Sequence, residues 1–151
     1  MATVVNSVSA LHELAGTDLG LSEWHSVGQH QIDLFADATG DHQWIHVDPE
    51  RAAGGPFGGT IAHGYFTLSL APVLLSEILT VEGMAFGVNY GCNKVRFPAP
   101  LKVGSRVRLG AVVASVDDVQ GGVQVTLDIT IQAEDAPKPS CVAQVVYRYY
   151  L

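Results

Sequence analysis

The chain has 151 residues, of which 48% are hydrophobic and 15% are charged. This length predicts a single domain over residues 1–151, and the apolar content excludes a disordered chain. The net charge of −7 argues against general nucleic-acid binding, which needs a basic surface.

The charge is unevenly distributed along the chain. Residues 1–50 hold eight of the fifteen acidic residues and no lysine or arginine, whereas residues 83–116 hold no acid at all. This basic stretch is compatible with a small anionic ligand. It carries five of the eight basic residues, which are Lys94, Arg96, Lys102, Arg106 and Arg108.

No segment predicts export or membrane insertion. The first 20 residues lack a basic start followed by a long apolar run. The longest mainly apolar run, Tyr65–Ser76, is too short for a bilayer and contains Pro72. Cys92 and Cys141 lack the C-x-x-C spacing of a metal or redox site, so we expect reduced thiols. The sequence thus predicts a soluble cytoplasmic protein with no membrane partner.

The first half of the chain predicts short helices separated by irregular segments. Glycines mark the expected helix ends, and apolar spacing marks the helices themselves. The predicted elements are a helix over 7–15 ended by Gly16, a weak strand over 22–27, a helix over 29–38 ended by Gly40, an irregular segment over 39–49 and a loop over 54–59.

The second half predicts one apolar helix followed by strands. From His63 to Thr80 the pattern is helical and apolar on nearly every side, which predicts a buried helix with a bend at Pro72. A buried helix followed by antiparallel strands is an α+β pattern, and the sheet must wrap around the helix to cover it. That arrangement is a single hot-dog domain. Such units pair edge to edge, so we expect a homodimer. The strands are predicted over 85–97, 106–116, 123–133 and 141–150.

Asp41 and His46 are the residues whose placement suggests catalysis. Both lie in the irregular segment between predicted helices, where catalytic groups are often held. An Asp and a His that face one point can activate a water together, since one takes a proton while the other supplies one to the substrate. The pair is also compatible with an Asp that caps a turn and a structural His. Spacing alone leaves both interpretations open.

The same segment resembles a family signature. Residues 35–46 read Phe-Ala-Asp-Ala-Thr-Gly-Asp-His-Gln-Trp-Ile-His, and Ala52 follows six positions after His46. The aromatic residue, the Gly-Asp pair and the His five positions after the Asp are similar to MaoC-like dehydratases, the (R)-specific enoyl-CoA hydratases of the hot-dog fold. The resemblance continues in Ile61-Ala-His-Gly-Tyr65 and in the stretch 95–104, which reads Val-Arg-Phe-Pro-Ala-Pro-Leu-Lys-Val-Gly.

Two departures from the signature bear on the substrate pocket. Gln43-Trp44 stands where Asn-Pro is usual, which is similar to the branch named after nodulation protein N. A serine that some relatives carry within the helix corresponds to Pro72 here. Both changes leave the Asp41/His46 pair in place.

The resemblance implies that water adds to trans-2-enoyl-CoA to give (R)-3-hydroxyacyl-CoA, or the reverse, with no cofactor. Asp41 and His46 would activate the water, and which of them is the base stays open. The N–H of Gly64, at the start of the predicted helix, is expected to bind the thioester oxygen, because first-turn N–H groups lack helical partners. An ordinary loop-to-helix junction is the alternative role of Gly64. Acyl-CoA is the expected substrate, and acyl carrier protein is a possible carrier.

Other residues are expected to line the pocket. His63 and Tyr65 flank Gly64, and the loop over 54–59, which contains Phe57, is expected to form a flap beside the acyl chain. Structural roles for His63 and for this loop stay open. No metal site is expected, because His42 and His46 are four apart without a secure helix or a third ligand at suitable spacing.

Two basic pairs are expected to bind phosphate. The members of each pair are two positions apart on a predicted strand, so they share one face while their neighbours, Phe97 among them, face the core. We expect a basic strip on the polar side of one hairpin, with CoA phosphates as its ligand and a solvated strand face as the alternative. The four residues are Lys94, Arg96, Arg106 and Arg108.

Two other functions compete with the hydratase. A hot-dog thioesterase often places an acid in the central helix, where Glu77 is the one acid of the predicted span. A non-catalytic acyl-thioester-binding subunit, paired with a second hot-dog chain, is the other alternative.

Overall fold

The computed structural model describes residues 1–134 and 136–151. Its helices are α1 (Val8–His12), α2 (Gln29–Thr39), α3 (Trp44–Val47), α4 (Pro49–Ala53), α5 (Gly64–Ser69) and α6 (Ala71–Leu75). Its strands are β1 (Thr3–Val5), β2 (Asp18–Leu21), β3 (His25–Ser26), β4 (Leu79–Val81), β5 (Phe86–Arg96), β6 (Arg106–Val119), β7 (Gly122–Ala133) and β8 (Cys141–Tyr150).

A six-stranded antiparallel sheet dominates the described part of the chain. Its order is β2-β6-β7-β8-β5, with the short β3 also pairing with β6. The four long strands lie within three residues of their predicted bounds. In β7 the alternation of apolar and polar residues is the local signal of a half-buried strand, and turn residues mark the ends of the others. Of the predicted strand over 22–27, only β3 (His25–Ser26) is present, and β2 lies just before that range.

The core lies between this sheet and the helices. The inward faces of β6 and β7 contribute fully buried side chains such as Leu109, Leu127 and Ile129. They belong to one cluster with Phe66 of α5 and Leu74 of α6. Each fully buried side chain of this size stabilises the fold by about 1.5–3 kcal/mol. The fold class is therefore α+β, as predicted, with the sheet packed against central helical segments.

The central helix differs from the continuous helix predicted over 63–80. It is interrupted at Leu70, two residues before the expected bend, and resumes as α6. Pro72 has no N–H to donate to the carbonyl of Leu68, so the helix ends before it. Pro72 then lies in the first turn of α6, where no N–H is needed.

The end of the predicted helix is a strand. Leu79–Val81 pairs in parallel with β1, with Thr3 opposite Leu79. Local apolar spacing did not reveal this pairing, because the partner lies more than 70 residues away.

The strand order separates two segments that the sequence places close together. β5 pairs with β8, and β6 pairs with β7 and β2, so β7 and β8 lie between β5 and β6. The expectation of a single β5–β6 hairpin carrying all four basic residues is therefore wrong. Lys94 and Arg96 lie on the edge strand β5. Arg106 and Arg108 lie on β6, which β7 and β8 separate from β5.

Within the described residues, no helix has the length and apolar character needed to cross a bilayer. Both cysteines are free thiols, with Cys92 exposed on β5 and Cys141 buried at the start of β8.

Candidate active site

Asp41 lies just after α2, where a glycine turns the chain. Gly40 ends the helix with φ 84°, a left-handed conformation that favours glycine. The Asp41 side chain is exposed, and its Oδ1 accepts a hydrogen bond from the Gln43 N–H at 3.3 Å. The capping role considered for this residue is thus present, and it leaves the other carboxylate oxygen available.

His46 is buried in the short helix α3. It is 7% exposed, and its Nδ1 lies 2.7 Å from the carbonyl oxygen of Ile61. A carbonyl only accepts, so Nδ1 carries the hydrogen and donates it. Nε2 is therefore the ring atom left to exchange a proton with a ligand.

Contacts from α2 and from the segment before α5 hold the α3 backbone. The Gln29 amide donates to the His46 carbonyl at 2.7 Å, and Thr60 Oγ1 donates to Gln29 Oε1 at 2.6 Å. The N–H of Ile61 donates to the carbonyl of Ile45 at 3.0 Å. These bonds fix the position of the His46 backbone relative to α2 and to the segment before α5.

The fold brings His63 to the same place. Its ring is 3% exposed and stacks on the His46 ring, with centroids 3.9 Å apart and planes inclined by 25°. Its Nε2 lies 3.0 Å from the backbone carbonyl oxygen of Asp41. One side-chain ligand atom each of Asp41, His46 and His63 falls within 4.8 Å of the other two.

This trio supplies the third potential metal ligand that the spacing did not reveal, but its geometry disfavours a metal ion. A nitrogen lone pair lies in the plane of its imidazole ring, and two nearly parallel stacked rings cannot aim their lone pairs at one ion. His42, the other histidine considered for a metal, is exposed and pairs with Asp37 at 2.9 Å. The Asp37 carboxylate raises the pKa of His42 by accepting its hydrogen bond.

A cleft of about 320 Å³ opens beside His46. Gly64, the first residue of α5, lies on its wall together with Phe57 of the loop over 54–59. A Cβ on Gly64 would lie 2.9 Å from the ring of Phe97, so only glycine fits without moving that ring. The cleft is lined by His46, Phe57, Ile61, Ala62, Gly64, Thr67, Phe97, Ala99, Pro100, Leu101 and Ser140.

Phe97 and Tyr65 occupy positions that differ from expectation. Phe97 was expected to face the core, but it is 40% exposed and lines the cleft. Tyr65 is 73% exposed and meets the Phe97 ring edge-on at 6.3 Å, so it lies near the cleft without lining it. The chain leaves β5 at Arg96, which frees Phe97 from the alternation of that strand.

The four basic residues expected to bind phosphate lie outside this cleft. Lys94 borders a separate depression with Asp128 and Gln144, and Arg96 donates to the carbonyl of Val95. Arg106 forms an ion pair with Glu134, which lowers the pKa of that carboxyl group. Arg108 lies over the ring of Trp24, 4.4 Å from its centroid.

A larger cavity of about 850 Å³ borders the cleft and shares Ala99 and Pro100 with it. Lys102 and Arg106 lie on its wall, so one of the four predicted basic residues and one further lysine lie beside the candidate site. Lys102 belongs to the acid-free segment but is a member of neither basic pair.

Sequence reasoning missed Gln29, Thr60 and Phe97. Gln29 and Thr60 act on the site through hydrogen bonds between distant segments, which leave no periodic signal. The Phe-Pro-Ala-Pro stretch at the end of β5 was a usable signal for Phe97, because a Pro directly after the aromatic residue marks the end of a strand.

Comparisons with known proteins identify the family and the fold of the chain. Residues 11–134 match the model of the MaoC like domain. A 3-hydroxyacyl-thioester dehydratase Z of Mycobacterium tuberculosis is 54% identical over 144 residues, covering 95% of each chain. A nodulation protein N of Rhizobium leguminosarum bv. viciae is 46% identical over 145 residues, covering 88% of this chain and 89% of that protein. A solved (R)-hydratase of A. caviae has a TM-score of 0.72 at 23% identity, covering 88% of this chain and 94% of that one.

The chain therefore belongs to the MaoC-like domain family and has the hot-dog fold. It is an enzyme of the dehydratase class, as the signature around Asp41 and His46 predicts.

Proposed function

We propose that this chain catalyses the reversible hydration of trans-2-enoyl thioesters to (R)-3-hydroxyacyl thioesters, with coenzyme A as carrier. The observation that carries the proposal is the convergence of the Asp41 carboxylate and the His46 ring within 4.8 Å beside an apolar cleft. A carboxylate and an imidazole at this distance can contact one water from two sides. The dehydratase Z of Mycobacterium tuberculosis, similar over nearly the whole chain, supports a thioester substrate.

In the hydration direction, the water oxygen forms a bond to C3 as one member of the Asp41/His46 pair removes its proton. The C2–C3 π electrons move toward the thioester carbonyl, which gives an enolate with charge on its oxygen. The enolate then takes a proton at C2, and the C1=O double bond re-forms. Nε2 of His46 and the free oxygen of Asp41 are the two atoms available for these proton transfers.

The enolate oxygen needs a hydrogen-bond donor. The backbone N–H of Gly64 is our candidate, because it opens α5 and its residue lies on the cleft wall. Removal of one such donor costs roughly 3 kcal/mol of transition-state stabilisation in other enzymes. Phe57 and Phe97, also on the wall, are candidates for contact with the acyl chain.

The test is hydration of crotonyl-CoA and longer trans-2-enoyl-CoA substrates by the purified chain, followed by chiral analysis of the product. Asp41→Asn and His46→Gln should each remove most of the activity while the circular dichroism spectrum is retained. His42→Asn is the matched control, because His42 is adjacent to Asp41 but exposed and paired with Asp37. A folded Asp41→Asn or His46→Gln variant with near wild-type turnover would exclude this mechanism.

We also propose that the chain acts as a homodimer joined through β5. Among the described residues, β5 pairs only with β8, so its other edge is open. Phe86, Val88 and Tyr90 on this strand are 57%, 37% and 58% exposed. An exposed apolar edge strand is a site of association with another chain, and a second copy would cover both edges at once.

The two alternatives make different predictions for the same assay. A thioesterase would release free thiol, but Glu77, its expected acid, pairs with His25 at 2.5 Å and is absent from the cleft wall. A non-catalytic subunit would hydrate nothing until a second hot-dog chain is added. Activity of the pure chain without thiol release therefore separates all three functions.

A further inference from the structure

His63 contacts three other parts of the site. Its Nε2 lies 3.0 Å from the Asp41 carbonyl oxygen, and its ring stacks on that of His46 at 3.9 Å. The ring of Phe35, from α2, packs on it with centroids 4.9 Å apart. A carbonyl only accepts, so Nε2 is the donor. His63 thus joins the start of α5 to both members of the proposed catalytic pair.

The segment around Asp41 depends on this contact. Residues 40–43 are outside any helix or strand. Within the described chain, the other hydrogen bonds of these residues stay within residues 36–46. The bond from His63 is therefore the one that ties this turn to a distant part of the described chain.

We infer that His63 is a positioning residue, which acts through Asp41 and His46; this inference rests on the proposed function. Its Nε2–H holds the Asp41 backbone, and its ring restricts the rotation of the His46 ring by stacking. Together the two contacts keep the carboxylate and Nε2 of His46 aimed at one water. A direct contact with substrate, which the sequence suggested for His63, is not required by this role.

Three substitutions separate the two contacts. His63→Gln keeps an N–H donor near the position of Nε2 and loses the ring. His63→Phe keeps a ring that stacks on His46 and loses the donor. His63→Ala loses both.

Turnover should fall as each contact of His63 is lost. A misplacement of about 1 Å can cost on the order of 100-fold in rate, so we expect a kcat loss of about that size in His63→Ala. His63→Gln and His63→Phe should each recover part of it, and KM should stay close to wild type in all three. Adding His63→Ala to Asp41→Asn should cause little further loss, because residues that act as a unit are not additive.

A structural measurement tests the positioning role independently of activity. Hydrogen exchange of residues 40–46 should be faster in His63→Phe than in wild type and close to wild type in His63→Gln. Melting temperatures and circular dichroism show whether each variant is folded, and His42→Asn is the matched histidine control. If His63→Ala does not fold, the other two variants still separate the donor from the ring.

The failures are distinguishable. A wild-type chain with no hydratase activity would remove the proposed function, while hydrogen exchange would still decide the positioning role. Folded variants with raised KM and unchanged kcat would make His63 a substrate contact and overturn the inference. Unchanged kcat together with unchanged exchange in His63→Phe would overturn it as well.

Discussion

The ring of Trp44 lies directly against Gly55. A Cβ on Gly55 would come within 3.1 Å of Trp44 Cζ3 and 3.2 Å of the Ala52 carbonyl oxygen. Trp44 stands where the family signature usually has proline, and it opens the helix that carries His46. The guanidinium of Arg51 covers the same ring, 4.3 Å from its centroid. This contact links the helix that carries His46 to the loop that places Phe57 in the cleft.

Gly55→Ala should therefore change substrate fit more than stability. The added methyl must displace Trp44 or the loop by a few tenths of an ångström, which we expect to lower kcat/KM about tenfold and stability by about 1 kcal/mol. Gly59→Ala is the matched control, because a Cβ there meets nothing within 4 Å. Kinetics with enoyl-CoA substrates and urea unfolding measure both effects. Equal behaviour of the two variants would show that the Trp44 contact does not shape the cleft.

We expect the phosphates of the proposed coenzyme A carrier to bind in the cavity next to the cleft. Lys102 and Arg106 lie on its wall, whereas Lys94 borders a separate depression. Loss of a hydrogen bond to a charged group costs about 1.5–3 kcal/mol, so Lys102→Ala should raise KM for crotonyl-CoA by at least about tenfold with little change in kcat. Arg106→Ala should act in the same direction, and Lys94→Ala should act less.

A substrate without phosphates provides the control for that experiment. The N-acetylcysteamine thioester of crotonate keeps the reacting atoms and lacks the nucleotide. Lys102→Ala should leave its KM unchanged. An equal rise of KM for both substrates would show that Lys102 affects the acyl pocket or stability instead. No rise for either substrate would show that these basic residues are solvated and do not bind phosphate.

The proposed dimer predicts a sharp difference between two exposed valines. Val88 on β5 and Val112 on β6 are 37% and 38% exposed. β6 is paired on both sides, so Val112→Lys should leave association intact. Val88→Lys places like charges on both copies at the open edge and should shift the chain toward monomer in sedimentation or light scattering. A Val88→Lys variant that stays dimeric at micromolar concentration would place the interface elsewhere.

Cys141 predicts a loss of stability at alkaline pH. Burial raises the pKa of its thiol from 9.0 to about 11, with a smaller contribution from Cys92. In the unfolded chain the thiol ionises near pH 9 and in the folded chain near pH 11. The buried neutral thiol therefore makes its full contribution to the free energy of unfolding below pH 9, and this contribution is lost as the pH rises to 11. The expected loss at pH 10 is on the order of 1 kcal/mol.

Urea unfolding at pH 8 and pH 10 measures this loss. Cys141→Ala should be less stable at pH 8, because it leaves a small cavity, but it should lose less stability than wild type between the two pH values. Tyr147, whose pKa burial raises to about 12, is present in both proteins and cancels in the comparison. Parallel pH dependence in the two proteins would show that Cys141 does not carry the effect.

Local signals in the sequence were sufficient to predict several strands, the end of a helix and the family of this protein. Alternation of apolar and polar residues predicted β7, because a half-buried strand repeats every two residues, and turn residues marked the ends of the other long strands. Gly40 predicted the end of α2, because the left-handed conformation there favours glycine. The Gly-Asp pair and the His five positions later predicted the family and the pair Asp41/His46, since both residues lie on one short segment.

Only the tertiary structure decided which distant segments meet. Alternation shows which face of a strand is buried but not which strand lies beside it. The separation of β5 from β6 could therefore not be predicted from the sequence. Hydrogen bonds and ring stacking have no sequence period, which is why the contact of His63 with Asp41, 22 residues away, was invisible. The packing of Phe97 against Gly64 likewise depends on where β5 ends relative to α5. The candidate reacting groups can thus be found in the sequence, whereas the contacts proposed to orient them depend on the fold.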